Sequence, residues 1–196
     1  MVIVISNETE VDDEMTTVNQ LFEGGLDRFH YRRSAFNSER FKLFLKGVKP
    51  EYHKKISVHL GSFCYDIPPG VGVHYKGDYA GDRFVDRIQS ASIHSVQELN
   101  TPERRGESYF LVAPVFPSIS KVGYGLNETV KGDFEGKRFD NKNLIALGGI
   151  DATTVQNLGA VWSGIALKGS IWKATNPSDR ITLFKKIKQK WEQNRH

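Results

Sequence analysis

The stretch "LIALGGIDATTVQNLGAVWSGIALKGS", residues 144–170, contains two apolar runs of strand length, "LIALGGI" and "SGIALKG", parted by a more polar segment. The first runs into Gly148 and Gly149, the second into Lys168, Gly169 and Ser170. Both read as β-strands. They are the last two of a series, and the length of that series decides the fold.

The series begins with "VIVIS", followed by a helical pattern at Met15, Val18, Leu21 and Phe22. "FHYRR" is a second strand, and Ser38 is placed to cap a helix whose inner face is Phe41, Phe44 and Leu45. "KISVHL" is the third strand. The connection after it, "GSFCYDIPPG", is too short and too rich in proline and glycine for a full helix before "VGVHY", the fourth strand. "QSASIH" is the fifth, "SVQELN" a short helix and "YFLVAPVF" the sixth. Pro177 and Ser178 start a final helix with Ile181, Phe184, Ile187 and Trp191 at helical spacing. Strands alternating with helices imply a parallel sheet, and eight such units close it into a (β/α)8 TIM barrel, here shortened by one trimmed helix; a doubly wound open sheet is the alternative. With no low-complexity linker and no repeat beyond the βα unit, residues 1–196 read as a single domain.

Composition agrees with one globular domain: 196 residues, 39% hydrophobic and 26% charged. No apolar stretch is long enough to cross a bilayer, and the start "MVIVISNETE" lacks a basic region and cleavage site, so the expectation is a cytoplasmic protein with no membrane partner. The single Cys64 can form no internal disulfide or thiolate metal cluster and reads as a small, half-buried hydrophobe. Much of the +4 net charge lies in "KKIKQKWEQNRH", read as a solvated helix face rather than a nucleic-acid surface, because no reader motif accompanies it. Whether copies of the chain form a homo-oligomer is left open.

In a barrel, chemistry belongs at the carboxyl ends of the strands, and phosphate often binds on the loops after strands seven and eight. The small residues Gly148, Gly149, Gly169 and Ser170, with Lys168, lie on those loops and let backbone N–H groups approach an anion; the plainer reading is tight turns. Ser118, Ser120 and Lys121 leave strand six on the same rim, where two hydroxyls and an ammonium suit an anion, although such a loop alone is more often a surface turn.

"SASIHSVQEL", "APVFPSISK", "ALGGI" and "SGIALKGSIW", in this order and spacing, resemble the thiamine phosphate synthase/TenI family, which includes the thiazole tautomerases. The resemblance covers the second half of the chain well and the first half loosely. It implies the barrel fold and a small-molecule ligand, thiazole phosphate (carboxylate), whose phosphate lies on the loops after strands seven and eight. It also implies that Ser118 and Ser120 replace paired threonines at that phosphate, that Lys121 replaces a lysine facing pyrophosphate, and that Ser92 matches a pyrimidine-side serine. The first half departs from the synthase pattern. Where the synthase carries Gln-x-Arg-x-Lys on strand two, this chain has His30, Arg32 and Ser34; adjacent Arg33 points to the opposite face. Where it carries Asn-Asp, with the Asp a magnesium ligand, this chain has His59 and Leu60. The second magnesium Asp has no clean equivalent, Asp78 being displaced by one position and Asp82 lying further along.

The synthase reaction expels pyrophosphate with magnesium, whereas the tautomerase needs only a group that moves a proton. The expectation is therefore metal-independent tautomerase chemistry with His94 as acid/base, no cofactor, and Mg2+ only if the chain is a synthase. The alternatives are thiamine phosphate synthase activity and a non-catalytic thiazole or thiamine phosphate binder, in which His94 is a satisfied helix-entrance histidine. His30, His59 and His74, near strand ends, are expected to line the pocket; their spacing matches no recognised metal motif, and no metal ligand is assigned.

Overall fold

The computed structural model describes residues 1–60, 66–76, 79, 83–101, 106–117 and 129–195. Eight strands, β1 (Val2–Ile5), β2 (Arg28–Tyr31), β3 (Ile56–Leu60), β4 (Gly72–Tyr75), β5 (Gln89–Ile93), β6 (Tyr109–Val112), β7 (Leu144–Leu147) and β8 (Gly164–Leu167), form a closed parallel barrel in sequence order. Closure is made by β8 on β1, where Val2 pairs with Ile165, Ile3 with Ala166 and Val4 with Leu167. The barrel is thus observed, and the open sheet is excluded. Several strands are shorter than their apolar runs: in "YFLVAPVF" the regular strand ends at Val112, since Pro114 has no N–H to give the ladder, although the Val115 N–H still donates to Leu147 O at 2.9 Å.

Among the described residues six helices cover the outside: α1 (Glu14–Glu23), α2 (Ser38–Gly47), α3 (Val96–Leu99), α4 (Lys131–Phe134), α5 (Gly169–Trp172) and α6 (Pro177–Gln193), with 3₁₀ turns at Pro50–Lys55 and Thr154–Asn157. Between β3 and β4 the described residues, 66–71, contain no helix. Two local expectations are corrected. Asn37, not Ser38, caps α2, because its extended backbone lets its carboxamide oxygen accept the Arg40 N–H at 2.9 Å. Met15 is 42% exposed on the outer side of α1, while Val18, Leu21 and Phe22 turn inward.

Each strand alternates between two cores. Outward residues such as Val2, Val4, Phe29, Val58, Val73, Phe110 and Ile165 pack beneath the helices. Inside the barrel the filling is divided. On β1, β6, β7 and β8 it is apolar, with Ile3, Ile5, Leu111, Ile145, Leu147 and Ala166 clustered around Tyr109. On β2 to β5 it is polar: Arg28, His30, Ser57, His74 and Ser90 are all buried.

Helix α6 closes the shell through Phe184, Ile187 and Trp191, all buried. Arg180 is also buried there, donating to Ala174 O, Asp12 O, Thr175 O and the Thr17 hydroxyl, and so ties α6 to α1. Part of the basic tail is pinned to the body: Lys190 donates to Ala152 O and Arg195 to Trp162 O. Among the described residues no helix is long and apolar enough to cross a membrane.

Candidate functional site

The polar half of the barrel interior is one hydrogen-bonded array. Arg28 donates to the Ser57 hydroxyl at 3.0 Å and to Lys54 O. His30 sits one pleat above Arg28, with Nε2 2.7 Å from the Tyr109 hydroxyl and Nδ1 2.9 Å from His59 Nε2. His74, which pairs with His59 in register across β3 and β4, has Nδ1 2.9 Å from the Ser90 hydroxyl and Nε2 2.8 Å from that of Ser92. The three imidazoles are packed together, with ring centroids 5.1 Å (His30–His59), 5.2 Å (His30–His74) and 4.1 Å (His59–His74) apart. His30 and His74 are fully buried, while His59 is half-buried.

Electrostatics follow from this crowding. Burial, reinforced by electrostatic coupling to His74 and Arg28, pushes the His30 pKa well below the usual imidazole value. Burial does the same to His59, helped by His74, His30, Arg32 and Lys168. Burial raises the Tyr109 phenol, which stays protonated.

At the mouth, Glu8 after β1 lies between two cations: Lys168 Nζ is 2.7 Å and Arg32 Nη2 3.5 Å from the same carboxylate oxygen. Arg33 points the other way, onto the Tyr31 ring and into an ion pair with buried Glu14, as strand alternation requires. His94 directly follows β5 at the carboxyl end of the strand and is exposed. Its Nδ1 lies 2.7 Å from Ala113 O. A carbonyl only accepts, so Nδ1 carries the proton and Nε2 is the basic nitrogen. The backbone also fixes this residue, since its N–H donates to the Glu98 carboxylate while the Ser95 hydroxyl caps α3.

After β7, Gly148 and Gly149 have φ of 99° and 62°. A Cβ on Gly149 would lie 2.5 Å from Pro117 O and 2.7 Å from Phe116 Cβ. This glycine is therefore needed for close packing on the loop after β6. Gly169 and Ser170 open α5 beside Lys168, and the Ser170 hydroxyl is buried without a partner. Ser118, Ser120, Lys121, Asp78, Asp82 and Cys64 lie outside the described residues.

The magnesium that the synthase resemblance implies is a poor match for the strand ends that are described. β3 ends in His59 and the buried Leu60, and β4 in His74 and Tyr75, so imidazoles stand where a hard cation needs oxygens. Sequence reasoning missed Glu8, Arg28, Ser57, Ser90 and Tyr109. The available signal was a polar residue at every second position in otherwise apolar strands, as in "FHYRR", "ISVHL" and "QSASIH".

No family model matches the chain. A thiamine-phosphate synthase from Bacillus licheniformis is 23% identical over 210 residues, covering 99% of this chain and 92% of the relative. Two solved structures share the fold. A thiamine phosphate pyrophosphorylase from Bacteroides thetaiotaomicron has a TM-score of 0.76 and 22% identity, covering 100% of this chain and 99% of its own. One from Pyrococcus furiosus has a TM-score of 0.73 and 18% identity, covering 98% and 96%. The chain is thus similar from end to end to a curated thiamine-phosphate synthase, and its eight-stranded barrel is the fold of the two thiamine phosphate pyrophosphorylases.

Proposed function

We propose that this chain is a thiamine-biosynthesis enzyme that binds a phosphorylated thiazole at the mouth of the barrel and isomerises it by proton transfer, with His94 as acid/base. The observation that carries this reading is the 2.7 Å contact of His94 Nδ1 with Ala113 O, which commits Nδ1–H to that carbonyl and leaves Nε2 of this exposed residue, at the carboxyl end of β5, to handle a proton. Nε2 would take a proton from the thiazole ring carbon and return one to the exocyclic carbon, so the step is proton-neutral overall. The ligand's phosphate is assigned to the loops carrying Gly148, Gly149, Lys168 and Gly169, and its charge would compete with Glu8 for Lys168 and Arg32.

The test is replacement of His94 by Asn. Turnover of thiazole phosphate carboxylate should fall about 100-fold or more, the usual scale for loss of a general acid/base, with ligand binding by calorimetry little changed. A variant isomerising at the parent rate would leave His94 with only its structural bonds. The curated relative favours a second reading, thiamine phosphate synthase. It is separated by supplying a pyrimidine pyrophosphate, thiazole phosphate and magnesium: pyrophosphate release would establish it, and binding without either turnover would leave a non-catalytic binder.

A further inference from the structure

The three histidines of the barrel interior stand on three consecutive strands, β2, β3 and β4, and all face the lumen. One nitrogen from each of His30, His59 and His74 lies within 4.8 Å of the other two. We propose that His30, His59 and His74 form a binding site for a divalent transition metal of the zinc and cobalt class, with the fourth coordination position open toward the barrel mouth. This does not rest on the thiazole reading.

The geometry needs little adjustment. Around an ion with metal–nitrogen bonds of about 2.0–2.1 Å in tetrahedral arrangement, ligand nitrogens stand about 3.3 Å apart. The His30–His59 pair, at 2.9 Å, opens slightly, and the most distant nitrogens close from at most 4.8 Å, a change within reach of ring rotation. The far nitrogens are already held. Tyr109 fixes His30 through Nε2, and Ser90 fixes His74 through Nδ1, the outer bonds that orient ligating imidazoles. This leaves His30 Nδ1, which faces His59, and His74 Nε2, which would exchange its Ser92 contact for the ion, as the donors.

Donor chemistry selects the metal. Three neutral imidazoles suit zinc, cobalt or nickel and are poor for magnesium or calcium, which prefer oxygen. Three neutral ligands also leave the ion its full double charge, so the open position favours an anionic oxygen, such as a carboxylate or hydroxide. Half-buried His59 gives the ion its route from the mouth. Three protein ligands with one open position is the arrangement of a reactive rather than a purely structural site.

The full-length protein, stripped with chelator, is titrated with zinc, cobalt and magnesium in separate calorimetric runs. The expected result is one zinc or cobalt per chain, no comparable uptake of magnesium, and a visible cobalt spectrum of a low-coordinate nitrogen site. His59→Asn should weaken zinc binding about 100-fold or more, since even outer-shell partners account for 10- to 100-fold. Absence of stoichiometric uptake by the parent, or undiminished uptake by the variant, overturns the proposal. If the variant fails to fold, imidazole NMR signals of the parent decide: zinc must perturb His30, His59 and His74 together, and zinc uptake that leaves them unmoved refutes the site.

Discussion

His30 and His59 in the metal-free protein are held as neutral imidazoles, and this makes a pH-dependent contribution to stability of definite sign. Their folded pKa values lie well below the usual 6.5, so the unfolded chain binds more protons in the interval beneath that value. Stability is full above about pH 6.5 and is lost as pH falls toward the depressed folded values, at up to about 1.4 kcal/mol per pH unit for each group. The groups facing them are His74, Arg28, Arg32, Lys168 and the neutral Tyr109, and the cations among them act in the same direction. Urea unfolding of metal-free protein from about pH 7.5 to about pH 5.5 should show a loss on the order of 2 kcal/mol, flattened in a His30→Asn/His59→Asn double variant. A parent profile as flat as the variant's would contradict this account. The meeting of these residues could not be read from the sequence, because their spacing along the chain matches no ligand motif; it needs the register that sets His59 opposite His74. The positions of His94 and of the loops after β7 and β8 at the carboxyl ends of their strands were legible, since each strand end is marked by its own motif.

At the scale of elements, α6 shows how end signals and packing divide the work. Asn176 accepts the Asp179 N–H at 2.9 Å while Pro177 occupies the first helical position, where no N–H is missed. Burial of Phe184, Ile187 and Trp191 contributes about 1.5–3 kcal/mol each, which outweighs the cap, so the helix should survive its loss. Asn176→Ala is expected to cost about 1 kcal/mol in chemical denaturation without change in helical content. An unmoved midpoint would show that the cap bond contributes nothing. The strands were readable because each is a compact β-rich run, and α6 because its buried positions recur at helical spacing. The cap of α2 was misplaced by one residue because Asn37 and Ser38 are both good caps by composition, and only backbone conformation distinguishes them.

For the molecule as a whole, the seam between β8 and β1 is where the barrel closes. Ile165 N–H donates to Met1 O at 2.9 Å, and a Cβ on Gly164 would stand 2.4 Å from that same oxygen and 2.8 Å from Ile145 Cδ1. Gly164→Ala should therefore destabilise the fold by about 1–3 kcal/mol through overpacking and speed amide exchange at Ile165 first. Protection at Ile165 equal to the parent's would mean that the seam can yield. The seam belongs to the apolar half of the lumen, where Ile3, Ile5, Ile145 and Ala166 meet. The half that faces it, on β2 to β5, holds the imidazoles and hydroxyls and takes no part in the β8–β1 pairing itself. A lineage carrying this barrel can accordingly exchange one chemistry for another on β2 to β4 without reopening the cylinder. Of the places where this chain parts from the synthase pattern, His30, His59 and Leu60 lie on β2 and β3, in the part of the barrel that does not make the seam.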